Sequence, residues 1–90
     1  MTKTFTTDQA IEVAGRIGLD FEEHRFDVEQ FRRGLEVELE HGLEDSRTNV
    51  TGDDPDATGK IAWAHLNEFP DYYTRLEAME AEAHRFWDEA

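Results

Sequence analysis

The sequence predicts an all-α fold, a small single domain of about four helices that spans residues 1–90. Three observations predict it. Apolar residues recur three and four positions apart, which is the spacing of one helix face. Glycine and proline stand at the ends of these periodic stretches, where they stop and start helices. No stretch makes a convincing strand.

The first predicted helix covers about residues 7–17. Thr6 and Gln9 are three residues apart and fit a capping box at its start. Gly18 supplies the left-handed residue that ends many helices, with Leu19 after it as the usual apolar contact. The apolar face at helical spacing consists of Ala10, Val13, Ala14 and Ile17.

The second predicted helix covers about residues 28–41. Asp27 and Gln30 form a cap pair at its start, and Gly42 predicts its end. Its apolar stripe follows the spacing of one helix face and consists of Val28, Phe31, Leu35 and Leu39.

Two further helices follow a loop of about 12 residues, 43–54. The third begins at Asp54-Pro55, an acidic cap followed by proline at the first helical position. It ends before Pro70, because the residue ahead of a proline avoids helical dihedral angles. The fourth covers about residues 70–88, and its apolar stripe consists of Tyr72, Leu76, Met79, Ala83 and Phe86.

The composition narrows the class of partner. Asp and Glu number 22 against 9 Lys and Arg, a net charge of −13. Direct nucleic-acid binding requires a positive surface that this charge balance does not provide, and anionic membranes are disfavoured for the same reason. No apolar run approaches the length of a transmembrane helix, and no signal peptide is recognisable. We therefore expect a cytoplasmic protein with a protein partner, as a monomer or a homodimer.

The acidic residues are concentrated around the second helix. Residues 19–46 hold ten acids and three bases, a net charge of −7. A run without a compensating base predicts an acidic interaction surface, on which Glu36 and Glu40 point outward. Trp63, on the polar side of the third helix, is a further interface candidate, because exposed tryptophan is enriched at binding sites. The acidic surface is predicted to consist of Glu36, Glu40, Glu44 and Asp45.

One constellation of side chains has the spacing of a site. Glu38 and His41 are three residues apart, as are His65 and Glu68, and residues at this spacing share a helix face. The four could hold a divalent metal such as Fe, Mn or Zn. They could instead belong to a buried hydrogen-bonded network, which we favour because a di-iron site takes two Glu-x-x-His motifs and one motif here is reversed. That network would draw on Arg32, Arg33, Tyr72, Tyr73 and Arg75.

Two stretches carry a family resemblance. They are Val-Glu-Leu-Glu-His-Gly at 37–42 and Lys-Ile-Ala-x-x-His-Leu-x-Glu-x-Pro-x-Tyr-Tyr at 60–73. Together they resemble a domain-of-unknown-function family of short helical proteins from microbial and phage genomes, over roughly residues 19–80. The resemblance implies a shared fold and brings no catalytic residues with it.

Three functions fit these observations. The sequence favours a non-enzymatic protein-interaction module, since no catalytic constellation is recognisable and the core is thin. The first alternative is a metal-binding protein that uses Glu38, His41, His65 and Glu68. The second is an acidic mimic of nucleic acid that blocks a basic groove of a partner, for which the net charge of −13 is the motivation.

Overall fold

The computed structural model describes residues 4–44, 46–49, 52 and 54–88. Of His41, Gly42 and Glu44 it describes the backbone alone. The four helices are α1 (Thr7–Ile17), α2 (Val28–Glu44), α3 (Pro55–Glu68) and α4 (Tyr72–Asp88), with a 3₁₀ turn at Phe21–Glu23 between the first two. The described residues contain no strand, so the predicted all-α fold is confirmed.

Helix α1 has the boundaries that its capping residues predict. The Oγ1 atom of Thr6 accepts a hydrogen bond from the Gln9 amide at 3.1 Å, and Gln9 Oε1 accepts one from the Thr6 amide at 2.9 Å. Gly18 ends the helix at a φ of 78°. These ends were predictable because each depends on two or three neighbouring residues.

Helix α2 begins as predicted but ends later. The Oδ1 atom of Asp27 accepts the Gln30 amide at 3.0 Å, and the helix then continues through Gly42 to Glu44. The prediction that Gly42 ends the helix was wrong. A glycine inside a helix costs only about 1 kcal/mol relative to alanine, which neighbouring turns can offset.

A proline corner joins α3 to α4. Asp54 caps α3 through its Oδ1 atom, which lies 3.2 Å from the Asp56 amide, and Pro55 occupies the first turn. Helix α4 starts at Tyr72, two residues later than predicted, because Pro70 and Asp71 form the turn.

Helices α1, α2 and α3 enclose the core. Gly59 allows α3 to lie close to α1, since a Cβ atom there would be 2.8 Å from the Cγ1 atom of Val13. Helix α4 contributes one fully buried side chain, Tyr73. The buried apolar residues are Ala10, Val13, Ala14, Leu19, Phe26, Phe31, Leu35, Leu39, Ala62, Leu66 and Tyr73.

The second half of α4 lies on the surface of the part of the chain that the structure describes. Residues 81–88 are exposed, including Phe86 and Trp87. Among the described helices, none combines the length and the apolar character required to cross a bilayer.

Candidate functional site

A part-buried polar cluster joins α2, α3 and α4. The hydroxyl of Tyr73 donates a hydrogen bond to Glu38 Oε2 at 2.8 Å. The Nδ1 atom of His65 lies 2.8 Å from the same oxygen and 3.3 Å from the Tyr73 hydroxyl. We call Glu38, His65, Tyr72 and Tyr73 the Glu38 cluster. It brings together the two halves of the chain that carried the family resemblance.

The cluster lies at the edge of the core. Tyr73 is 2% exposed, and the side chain of Glu38 is 10% exposed. Burial raises the pKa of the Tyr73 hydroxyl far above its usual range, and the negative charge of Glu38 raises it further. Tyr73 therefore remains a hydrogen-bond donor. A carboxylate at Glu38 can accept hydrogen bonds from both Tyr73 and His65.

Tyr72 covers the outer side of the cluster. Its ring stacks on His65 with centroids 4.5 Å apart and planes 10° from parallel. The pKa of Tyr72 is also raised, first by burial and then by the charges of Glu38 and Glu68. The imidazole is thus held between a stacked ring and a carboxylate, which fixes its orientation.

The start of α4 is attached to α2 by polar side chains. The Nε2 atom of Gln30 donates to Thr74 Oγ1 at 2.9 Å, and its Oε1 atom accepts from the Tyr73 amide at 3.3 Å. Arg33 forms an ion pair with Glu77 at 2.6 Å. These contacts hold Tyr73 in place above α2.

A close helix contact makes room for the tyrosine ring. Gly34 on α2 faces it directly, and a Cβ atom at this position would lie 2.5 Å from Tyr73 Cε2 and 2.9 Å from Ala62 Cβ. Any larger residue would push α2 away from α3 and α4. Gly34 is the residue that sequence reasoning missed, and its location four positions before Glu38 was the available signal.

Arg75 lies outside the Glu38 cluster, although the sequence grouped it with the tyrosines. Its Nε atom is 2.7 Å from Asp71 Oδ1, and its guanidinium lies over the Phe69 ring, 4.4 Å from the centroid. The hydrogen bond from Arg75 lowers the pKa of Asp71. Arg75 therefore belongs to the exposed surface near the proline corner.

Of the four predicted metal ligands, the structure brings Glu38 and His65 together. Glu68 is exposed, and the side chain of His41 lies outside the described residues. Within the described residues no group of three or more His, Cys, Asp or Glu side chains is arranged to hold a metal ion. The carboxylate orients His65 through Nδ1, as carboxylates do for metal-ligating histidines.

The predicted acidic surface is divided. Glu36 does not point outward as expected: its Oε2 atom accepts from the Phe5 amide at 2.8 Å and pairs with Arg32 at 2.9 Å. Glu40 is exposed. The side chain of Glu44 and the whole of Asp45 lie outside the described residues.

Trp63 is half-buried and hydrogen-bonded. Its Nε1 atom donates to His24 Nε2 at 3.1 Å, and the two rings meet edge to face with centroids 5.5 Å apart. The other nitrogen of His24 lies 2.7 Å from the Asp20 carbonyl oxygen. This contact fastens the segment between α1 and α2 to α3.

The apolar stripe of α4 is exposed along its outer half, and Phe69, which precedes the proline corner, is exposed beside its inner end. Phe69 is 48% exposed, Met79 59%, Phe86 64% and Trp87 73%. We call Phe69, Tyr72, Leu76, Met79, Ala83 and Phe86 the α4 seam. At its inner end the seam forms a groove with a cavity volume of about 160 Å³, lined by Phe69, Tyr72, Arg75, Leu76 and Met79.

The fold and the cluster define a small all-α protein in which a Glu–His–Tyr contact fixes the last helix. The family model of DUF5661, a protein of unknown function, matches residues 10–82, and the chain belongs to this family. The match includes the whole Glu38 cluster and ends before Phe86. No curated protein and no solved structure matches the chain.

Proposed function

We propose that the protein is a non-enzymatic protein-interaction module that binds through the α4 seam. The observation that carries the proposal is the exposure of Met79, Phe86 and neighbouring Trp87 along one helix face. A contiguous apolar patch of this kind on a soluble domain marks an interaction site, whereas scattered exposed apolar residues do not.

The composition of this surface supports the proposal. Aromatic side chains, methionine and arginine are the residue types enriched at protein interfaces. Arg75 and Glu82 flank the apolar residues and supply a polar rim. The Glu38 cluster and the Gln30 contacts hold the start of α4 against the core, and the exposed apolar residues continue along the same helix. We propose the cytoplasm as its location.

Affinity capture from the native host tests the proposal with three forms of the chain as bait. These are the wild type, Met79→Glu in the seam, and Ala81→Glu on the opposite, exposed face of the same helix. Both variants add one negative charge to α4, and they differ in whether that charge lies in the seam. We expect a bound protein that the wild type and Ala81→Glu retain and Met79→Glu loses. Identical sets for all three baits would contradict the proposal.

Metal binding is a second candidate, and the orientation of His65 favours it. With Nδ1 directed at Glu38, the Nε2 atom has no hydrogen-bond partner among the described residues and is free to bind a metal. Elemental analysis of untagged protein, and thermal shift with Fe(II), Mn(II) or Zn(II), test this candidate. His65→Gln should abolish any shift, whereas His84→Gln on exposed α4 should leave it unchanged.

The acidic-mimic hypothesis stays a prediction. The acidic surface that this hypothesis requires includes Glu36, which the structure pairs with Arg32. It also includes the Glu44 side chain and Asp45, which lie outside the described residues. A mimic should bind a basic partner with strong salt dependence.

A further inference from the structure

The α4 seam has the spacing of a coiled-coil interface. Its members within α4, from Tyr72 to Phe86, are separated by four, three, four and three residues, the alternation of a and d positions in a heptad. Leu76 and Ala83 occupy one heptad position, and Tyr72, Met79 and Phe86 occupy the other. Phe69 precedes the helix and lies beside its inner end, where it lines the same groove. A face of this kind suits a second helix that runs along it rather than a compact ligand.

We infer that the occupant of the α4 seam is α4 of a second copy of this chain, packed antiparallel. This inference rests on the proposed function and names its partner. Two identical apolar faces satisfy each other about a two-fold axis, so each contact occurs twice. Antiparallel packing also places opposite ends of the helix dipoles together.

Charge complementarity selects one register. Arg75 and Glu82 lie on the same edge of the seam, one heptad apart. When Leu76 packs beside Met79 of the second copy, Arg75 lies opposite Glu82 of that copy, and the reciprocal pair forms at the other end. In the same register Tyr72 packs beside Ala83 of the second copy, and Phe69 beside Phe86.

The neighbouring registers are unfavourable. A shift of one heptad in one direction sets Glu82 opposite its own counterpart, and a shift in the other direction does the same for Arg75. Like charges placed opposite each other destabilise such an interface. Glu82 has no ion-pair partner among the described residues, and Arg75 pairs with Asp71 through Nε alone, which leaves its terminal nitrogens for a second carboxylate. Parallel packing would use Glu80, which already interacts within its own chain.

The exposed apolar area around the seam reaches the lower limit for a dimer interface. Phe69, Met79, Phe86 and Trp87 leave about half to three quarters of their surfaces exposed. Since an aromatic side chain can bury roughly 150–250 Å², these four expose on the order of 450 Å² per chain. Covering them on two chains, together with the rim, buries on the order of 1,000 Å², which is the lower limit for a biological interface.

The groove at the inner end of the seam fits a ring. Its volume of about 160 Å³ is close to the roughly 150 Å³ of an apolar cavity that accepts benzene. In the selected register the Phe86 ring of the second copy reaches the Phe69 end of this groove. The outermost aromatic of the seam would thus fill the opening that the monomer leaves.

Sedimentation equilibrium over a wide concentration range tests the inference, in salt that screens the −13 charge of each copy. We expect a dimer for the wild type and for Ala81→Glu. Met79→Glu should raise the dissociation constant at least about a hundredfold, because the interface buries an unpaired charge twice. A monomeric wild type at every concentration, or equal disruption by Ala81→Glu, would overturn the inference.

A charge exchange tests the register. Arg75→Glu and Glu82→Arg should each raise the dissociation constant by about tenfold, since each creates two like-charge pairs. The double variant restores opposite charges and should return to within about threefold of the wild type. A double variant as weak as the single ones would overturn the antiparallel arrangement. Thermal melts of each variant confirm that the monomer fold is intact.

Different results would overturn the proposed function and the proposed partner. A monomeric wild type whose Met79-dependent capture of another protein persists overturns the second copy as partner and leaves the interaction module. Loss of both overturns the proposed function as well.

Discussion

The Tyr73 hydroxyl donates to the same carboxylate oxygen of Glu38 that His65 Nδ1 approaches, each at 2.8 Å. This shared oxygen ties three helices together at one atom. Removing a donor from a buried acceptor costs more than the average hydrogen bond, because the remaining group stays desolvated. The contact therefore belongs to the stability of the fold as well as to the candidate site.

Tyr73→Phe should lower the free energy of unfolding by about 1–3 kcal/mol, because Glu38 loses a donor while it stays 10% exposed. Urea denaturation followed by circular dichroism measures the change. Tyr72→Phe is the matched control, since the Tyr72 hydroxyl makes no hydrogen bond among the described residues. Equal losses for the two variants would show that the Tyr73 hydroxyl has no special role.

Alkaline pH should destabilise the protein through the same tyrosine. Folding raises the pKa of Tyr73, by burial first and by Glu38 second. The stabilisation is complete below the unfolded pKa of about 10 and falls above it by about 1.4 kcal/mol per pH unit, because only the unfolded chain releases the proton.

Denaturation at a series of pH values above neutrality measures this dependence. Tyr73→Phe should remove most of the decline, and Tyr72→Phe should remove a smaller part, since the Tyr72 pKa is raised as well. A wild-type decline that Tyr73→Phe leaves unchanged would assign the pH dependence to other groups.

The sequence was most informative where the chemistry is local. Thr6, Gln9 and Gly18 determine both ends of α1 through contacts within a few residues. Gly42 misled for the complementary reason: a glycine ends a helix only when the chain adopts a left-handed turn there, and the residues around Gly42 do not require one. Helix ends that depend on packing cannot be predicted from the neighbouring residues alone.

The candidate site was predictable in part. Helical spacing placed Glu38 and His65 on inward faces, and the structure brings their side chains together. The spacing could not show that Tyr73 would join them, because that depends on how α4 crosses α2. Gly34 allows that crossing, and its effect is visible only when the two helices are seen in contact.

Gly34→Ala should destabilise the fold by about 1–3 kcal/mol, the usual cost of overpacking a close contact. The added Cβ atom would lie 2.5 Å from the ring of Tyr73 and 2.9 Å from Ala62 Cβ. Thermal and urea denaturation measure the effect. Gly15→Ala is the matched control, because an added Cβ there meets nothing within 4 Å.

In the control, helix propensity alone acts, and alanine in place of glycine should stabilise the protein by about 0.5–1 kcal/mol. The two substitutions are chemically identical and should have opposite signs. A stabilising Gly34→Ala would mean that α4 does not pack on α2 as closely as described.

Two hydrogen bonds agree on the tautomer of His24, one from the Trp63 indole and one to the Asp20 carbonyl. Since the indole can only donate, His24 Nε2 must accept at 3.1 Å, and its proton resides on Nδ1, which donates to the Asp20 carbonyl oxygen at 2.7 Å. Long-range ¹H–¹⁵N correlation spectra of the uncharged imidazole should therefore show the Nδ1–H form for His24. His84 on the exposed half of α4 is the internal reference. In Trp63→Phe the indole donor is absent but the Asp20 carbonyl oxygen still accepts from Nδ1, so the Nδ1–H form should persist at His24 while the segment between α1 and α2 exchanges its amides faster. Unchanged amide exchange in that variant would show that the indole does not hold this segment to α3, and a switch to the Nε2–H form would show that the indole rather than the Asp20 carbonyl determines the tautomer.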